Sequence, residues 1–102
     1  MQFDNYKMAS EDVIKARQEG IGEFLLFDYT TNSEYYIFNN TIIVKYYDEP
    51  EKWYRQPIYR EVPVEDFRKI LEGFKSVGQE LEYIEKVEKI INNIEETNQM
   101  KM

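Results

Sequence analysis

Two residue types are missing from this 102-residue chain, and each absence closes off chemistry. Without cysteine there is no disulfide framework, thiol nucleophile or thiolate metal site. Without histidine the commonest general base and the commonest transition-metal ligand are gone. Positive charge is short as well: 13 Lys and Arg against 20 Asp and Glu leave a formal charge of −7. That balance weighs against direct binding of DNA or RNA, whose affinity comes mainly from cationic side chains neutralising phosphates. It weighs equally against attachment to an anionic membrane. No stretch approaches the roughly 20 apolar residues of a membrane span. No apolar run follows Met1, so a secretory leader is not expected and the sequon Asn39-Asn40-Thr41 is expected to stay unmodified. The cytoplasm is the expected compartment. No glycine-rich phosphate loop is present, and no cofactor is implied.

What remains is a well-populated core. Hydrophobic residues make up 42% of the chain and aromatics 16%, too many for a disordered segment. Nine Tyr, six Phe and one Trp stand against two Ala and four Leu, so the core is aromatic. Large aromatic burial offsets the small size of the domain. The length suits one core, and residues 1–102 are expected to form a single domain.

Ser10-Glu11-Asp12 carries the marks of a helix start, a hydroxyl cap followed by two acids at the positive end of the dipole. With Gly20 as a stop, a short helix is predicted at about 10–19. Antiparallel strands are predicted within 22–62. Gly22 to Thr30 is apolar and bounded by turn residues. Glu34 to Phe38 and Thr41 to Asp48 flank Asn39-Asn40, and asparagine tolerates the left-handed backbone of a two-residue hairpin. Closing there sets Phe38 opposite Thr41, Ile37 opposite Ile42, Tyr36 opposite Ile43, Tyr35 opposite Val44, and Glu34 opposite Lys45. Apolar pairs inside and opposite charges at the end suit an antiparallel ladder. A first face then carries Tyr35, Ile37, Ile42, Val44 and Tyr46; a second carries Glu34, Tyr36, Phe38, Ile43, Lys45 and Tyr47. With a three-residue turn Thr31 to Ser33, Phe27 and Tyr29 join the first face, and Leu26 and Asp28 the second. Trp53 to Val62 is a candidate fourth strand, confined to an edge or interrupted by Pro57.

Pro63 and the acids after it open a helix at 64–77, with Phe67, Ile70, Leu71 and Phe74 at core-facing spacing. A last helix at 79–97 carries Ile84, Val87, Ile91 and Ile94, with Glu82–Lys86 and Glu85–Lys89 at i,i+4. Residues 98–102 are expected to fray. The predicted class is therefore α+β: a three- to four-stranded antiparallel meander, a short N-terminal helix, and two C-terminal helices packed on the sheet.

Catalytic chemistry finds no foothold. Asp48, Glu49 and Glu51 lack the spacing and glycine of a calcium loop, so no metal site is predicted. Acid pairs for glycoside hydrolysis are unavoidable among so many carboxylates and carry no signal. Attention passes to surface. The second face is too apolar for solvent, so either one of the chain's own helices covers it or part of it binds a partner. Tyr36, Tyr47, Trp53 and Tyr54 form the candidate aromatic patch, because Tyr and Trp anchor interfaces. Asp48, Glu49, Glu51, Glu61, Glu65 and Asp66 form a candidate acidic rim. The function expected is non-enzymatic: an acidic domain that binds and regulates or inhibits a protein. One specific version is a phage or mobile-element inhibitor of a basic nucleic-acid enzyme, an anti-CRISPR or another DNA mimic, its carboxylates standing in for phosphates. The alternative is a structural or accessory subunit, homodimeric and without an inhibitory target.

Overall fold

The Asn39-Asn40 turn organises the sheet. Both asparagines sit in the left-handed region, at φ 52° and 63°, the pair of positive angles that a two-residue hairpin matching strand twist requires. In the computed structural model, which describes residues 3, 5–47, 56–78 and 80–100 (backbone only over 95–100), this turn joins β2 (Ser33–Phe38) to β3 (Thr41–Tyr46). The register runs from Phe38↔Thr41 to Glu34↔Lys45, as the cross-strand pairs predict. With β1 (Glu23–Asp28) and β4 (Ile58–Val62) they make a four-stranded antiparallel meander, ordered β1-β2-β3-β4. Pro57 stands just before β4, where its missing N–H costs no ladder bond. The predicted start of that strand at Trp53 lies outside the described residues. One N-terminal helix, α1 (Glu11–Gln18), and two C-terminal helices, α2 (Val64–Ser76) and α3 (Leu81–Met100), complete an α+β fold. The chain forms two compact units, Met1–Val62 and Pro63–Met102.

The β1–β2 connection departs from the sequence expectation. Asp28 pairs with Ser33 and Phe27 with Glu34, so the turn is the four residues Tyr29 to Asn32 rather than Thr31 to Ser33. Asp28 shapes it: its Oδ1 accepts from the Thr30 N–H at 3.0 Å and from the Thr30 hydroxyl at 2.6 Å, and Asn32 takes a left-handed φ of 51°. Changing the turn length by one residue exchanges the faces of the whole strand. Phe27 therefore lies on the second face, and Leu26 and Asp28 on the first, the reverse of the expectation. A β-bulge between Phe24 and Leu26 then resets the alternation, with Phe24↔Tyr36 and Glu23↔Ile37 beyond it. Phe24 and Phe27 are three residues apart yet share a face, and Leu25 and Leu26 are both buried.

Both faces of the sheet are closed. On the first, Tyr35, Ile42, Val44 and Tyr46 are fully buried, each aliphatic one worth roughly 1.5–3 kcal/mol. On the second, Ile43 and Tyr59 form a buried cluster with Ala9, against which Val13, Ile14 and Phe38 pack. α1 is thus the cover that the apolar second face demands. Its start is capped as predicted, the Ser10 hydroxyl accepting from the Val13 N–H at 3.3 Å.

In the second unit α2 and α3 pack as a hairpin. Phe67 and Leu71 of α2 are buried, as are Ile84, Val87, Ile91 and Ile94 of α3. Two polar contacts pin the helices: the Arg68 guanidinium donates to Asn92 Oδ1 at 2.7 Å, and Lys75 Nζ lies 2.6 Å from Glu88 Oε1.

Gly22 sets the approach to β1. Its φ is +103°, and an added Cβ would stand 3.0 Å from the Ile37 carbonyl oxygen. Gly20 has a positive φ too, but open space around it. Gly22→Ala should therefore destabilise by about 2–3 kcal/mol, more than the roughly 1–2 kcal/mol of Gly20→Ala. Urea denaturation of the two variants checks the order, and equal losses would remove the steric part of the explanation.

Candidate interaction surface

The end of α1 and the start of β1 make a rigid corner. The Gly20 N–H donates to the Arg17 carbonyl at 3.0 Å and the Ile21 N–H to the Ala16 carbonyl at 2.9 Å. Those are the two bonds of a Schellman stop, with Gly20 in the left-handed position and Ile21 just past it. Arg17 adds a third tie, donating from Nη1 to the Ile21 carbonyl at 3.3 Å. Two residues on, the conformation held by Gly22 turns the chain into β1. Residues 18–24 are all exposed, and among them Ile21 keeps 49% and Phe24 47% of its surface in contact with solvent.

Beneath this corner lies Tyr36. Its ring meets Phe24 edge-on at 5.6 Å and carries the Arg17 guanidinium 3.8 Å from its centroid. Cation and aromatic face attract through the ring quadrupole. The Tyr36 hydroxyl donates to Glu34, whose carboxylate also lies 4.0 Å from Lys45 Nζ. Burial, and then the hydrogen bond and negative charge of Glu34, push the Tyr36 hydroxyl up to about 12 against the counteracting Arg17. Burial likewise raises Tyr35 on the opposite face to about 12, with Ser33 opposing and Asp28 adding to the shift. Phenols held neutral this firmly serve poorly as acids or bases near neutral pH. The cluster builds a surface.

The residues singled out from sequence are dispersed. Tyr36 is only 7% exposed, beneath Arg17 and Phe24. Tyr47 follows β3 and is half-buried. Glu61 lies on the same face as Tyr36 and in the same cross-strand row, separated from it by Ile43. Its carboxylate is 3.5 Å from Lys7 Nζ. Glu65 and Asp66 belong to the first turn of α2, where they complement the helix dipole. Asp48, Glu49, Glu51, Trp53 and Tyr54 lie outside the described residues. Among the described residues no group of three or more acids could hold a metal ion, and no helix is long and apolar enough to cross a membrane.

Sequence reasoning missed Arg17, Ile21 and Phe24. The signal available was the pair Gly20 and Gly22 around a lone isoleucine; the bulge that aims Phe24 left no mark in the residue pattern. No protein-family model, curated protein or solved structure matches the chain, so function rests on the residues themselves.

Raised phenol values have a consequence for stability. Between pH 10 and 12 the unfolded chain releases protons from Tyr35 and Tyr36 that the folded chain keeps. The contribution is complete below pH 10 and is lost as pH rises toward 12. Spectroscopic titration of tyrosinate should show Tyr35 and Tyr36 ionising late, and Glu34→Gln should move Tyr36 back toward 10. If it does not move, the Tyr36–Glu34 contact is not what holds the proton.

Proposed function

We propose that the chain is a non-enzymatic protein-interaction domain whose contact surface is the α1–β1 corner, with Ile21 and Phe24 at its centre. The observation that carries this is their exposure on a backbone fixed by the Schellman stop and Gly22. Exposed apolar side chains on a preorganised segment bind with little ordering cost. Glu19 and Glu23, both exposed, flank them. An apolar centre with an acidic border suits a partner whose own contact patch is apolar and ringed by basic side chains. Regulation or inhibition of that partner follows from occupying the patch.

Imitation of nucleic acid receives less support than plain protein recognition. A phosphate-like row needs carboxylates free of cations, whereas Glu34, Glu61 and Glu88 each face a lysine. A basic nucleic-acid enzyme stays within the class of partners, reached through the corner and not through a charge replica.

A photo-crosslinking side chain at position 24, with position 85 on the exposed side of α3 as control, tests the proposal in the native host. A single adduct at 24 and none at 85 is expected. Against that purified partner, Phe24→Ala should weaken binding by about 30-fold, the size of an interface hot spot. Crosslinking of the chain only to itself would favour the accessory homodimer instead. Equal capture at both positions would remove the corner from consideration.

A further inference from the structure

Phe3 and residues 5–9, ahead of α1, run along the edge of β4. Ala9 donates its N–H to the Tyr59 carbonyl at 3.1 Å, and the Glu61 N–H donates to the Lys7 carbonyl at 2.8 Å. Met8 lies between them, bridged antiparallel to Arg60. Residues 7–9 thus make one antiparallel bridge on an edge that β4 would otherwise leave open. Further upstream the segment crosses onto the first face. Phe3 is 3% exposed, its ring centroid 4.7 Å from that of Tyr46 and 6.2 Å from that of Tyr6. Arg60 ties the two levels together, donating from Nε to the Tyr46 hydroxyl at 2.6 Å and from Nη1 to the Tyr6 carbonyl at 2.8 Å.

Apart from the α1 side chains that pack over Ala9, the contacts across this edge are made to the sheet. The receptor is the open side of β4, the Tyr46 ring and the Arg60 guanidinium. The occupant is an extended peptide with an aromatic side chain at the place of Phe3 and a basic one four residues later, at the place of Lys7 opposite Glu61. Main-chain bonds, an aromatic seat and a charge across the edge are the components of strand addition. Lys7 is exposed and its ion pair sits at the surface, so that pair adds little to retention. Phe3 is the anchor.

We propose that the β4 edge is a peptide-binding site held by Phe3 and residues 5–9, and that an extended segment of a protein partner with the same aromatic-then-basic spacing takes their place. Tethering keeps the resident segment bound at an effective concentration on the order of millimolar. The site therefore opens to a partner whose segment is presented at comparable local concentration, or when Phe3 lets go. This surface shares no residue with the α1–β1 corner, and its fate does not depend on that proposal.

A fluorescent peptide of residues 1–10, titrated into the full chain, provides the test. Weak uptake is expected with the native chain. Phe3→Ala in the chain should tighten uptake by at least about tenfold, because truncating the buried ring loosens the resident segment. Phe3→Ala in the peptide should abolish it. A second variant guards against a misfolded Phe3→Ala chain. Lys7→Cys with Glu61→Cys joins two positions directly opposite across the edge, in a protein with no other cysteine. Oxidised, this chain should take up no peptide; reduced, it should recover uptake. Uptake that ignores the disulfide, or a folded Phe3→Ala chain that binds no peptide, overturns the proposal. Dimerisation of the Phe3→Ala chain without peptide uptake would assign the edge to a second copy and overturn it too.

Discussion

Side-chain alternation in a strand leaves register as the variable that decides what each face is made of, and here the Asn39-Asn40 turn holds it. With both asparagines left-handed, Tyr36 falls opposite Ile43, and Tyr35 opposite Val44. The next pairing places Glu61 beside Ile43 and Arg60 beside Val44. From those rows follow the cluster that receives α1 and the Tyr46–Arg60 pair that receives the N-terminal segment. A slip of one residue in β3 would send Ile43 to the first face and carry Lys45 with it, setting a charged side chain in the row now filled by Val44 and Tyr46.

The first unit is finished by a single continuous wrap. Phe3 lies against Tyr46 on the first face, residues 7–9 bridge the edge of β4, and α1 crosses the second face as far as Tyr36. Aromatic side chains do much of the sealing, as suits a chain with only two alanines and four leucines. Cationic side chains serve as straps: Arg17 lies over a ring and Arg60 bridges a phenol to a main-chain carbonyl. With basic residues scarce, committing two arginines to internal contacts leaves the remaining surface still more acidic.

Much of this architecture was legible in the residue order. Hydrophobic periodicity located the helices, the asparagine pair set one hairpin and its register, and an overly apolar second face required a cover. The β1 turn was not legible, because the Asp28 carboxylate closes it through Thr30, a choice that a run of Thr, Asn and Ser does not specify. The bulge at Leu25 was hidden as well, since both of its neighbours are apolar and either alternation looks acceptable. The turn moved Phe27 onto the second face, and the bulge kept Phe24 there beside it. Nothing in the local pattern around Phe3 and Lys7 marks their role, because the contacts with Tyr46, Tyr59 and Arg60 lie roughly forty to fifty residues away in the chain.

Composition alone determined that chemistry based on histidine or cysteine is closed to this protein, and local pattern determined the α+β class and the order of its elements. Tertiary structure decided which aromatic residues are surface and which are core. Tyr36, the natural candidate for a contact residue, is roofed by Arg17 and Phe24, while Phe24 itself is half open to solvent. Exposure is a property of what packs over a side chain. That depends on parity, bulges and chain reversals set by nonlocal contacts, and no residue type or local spacing encodes it.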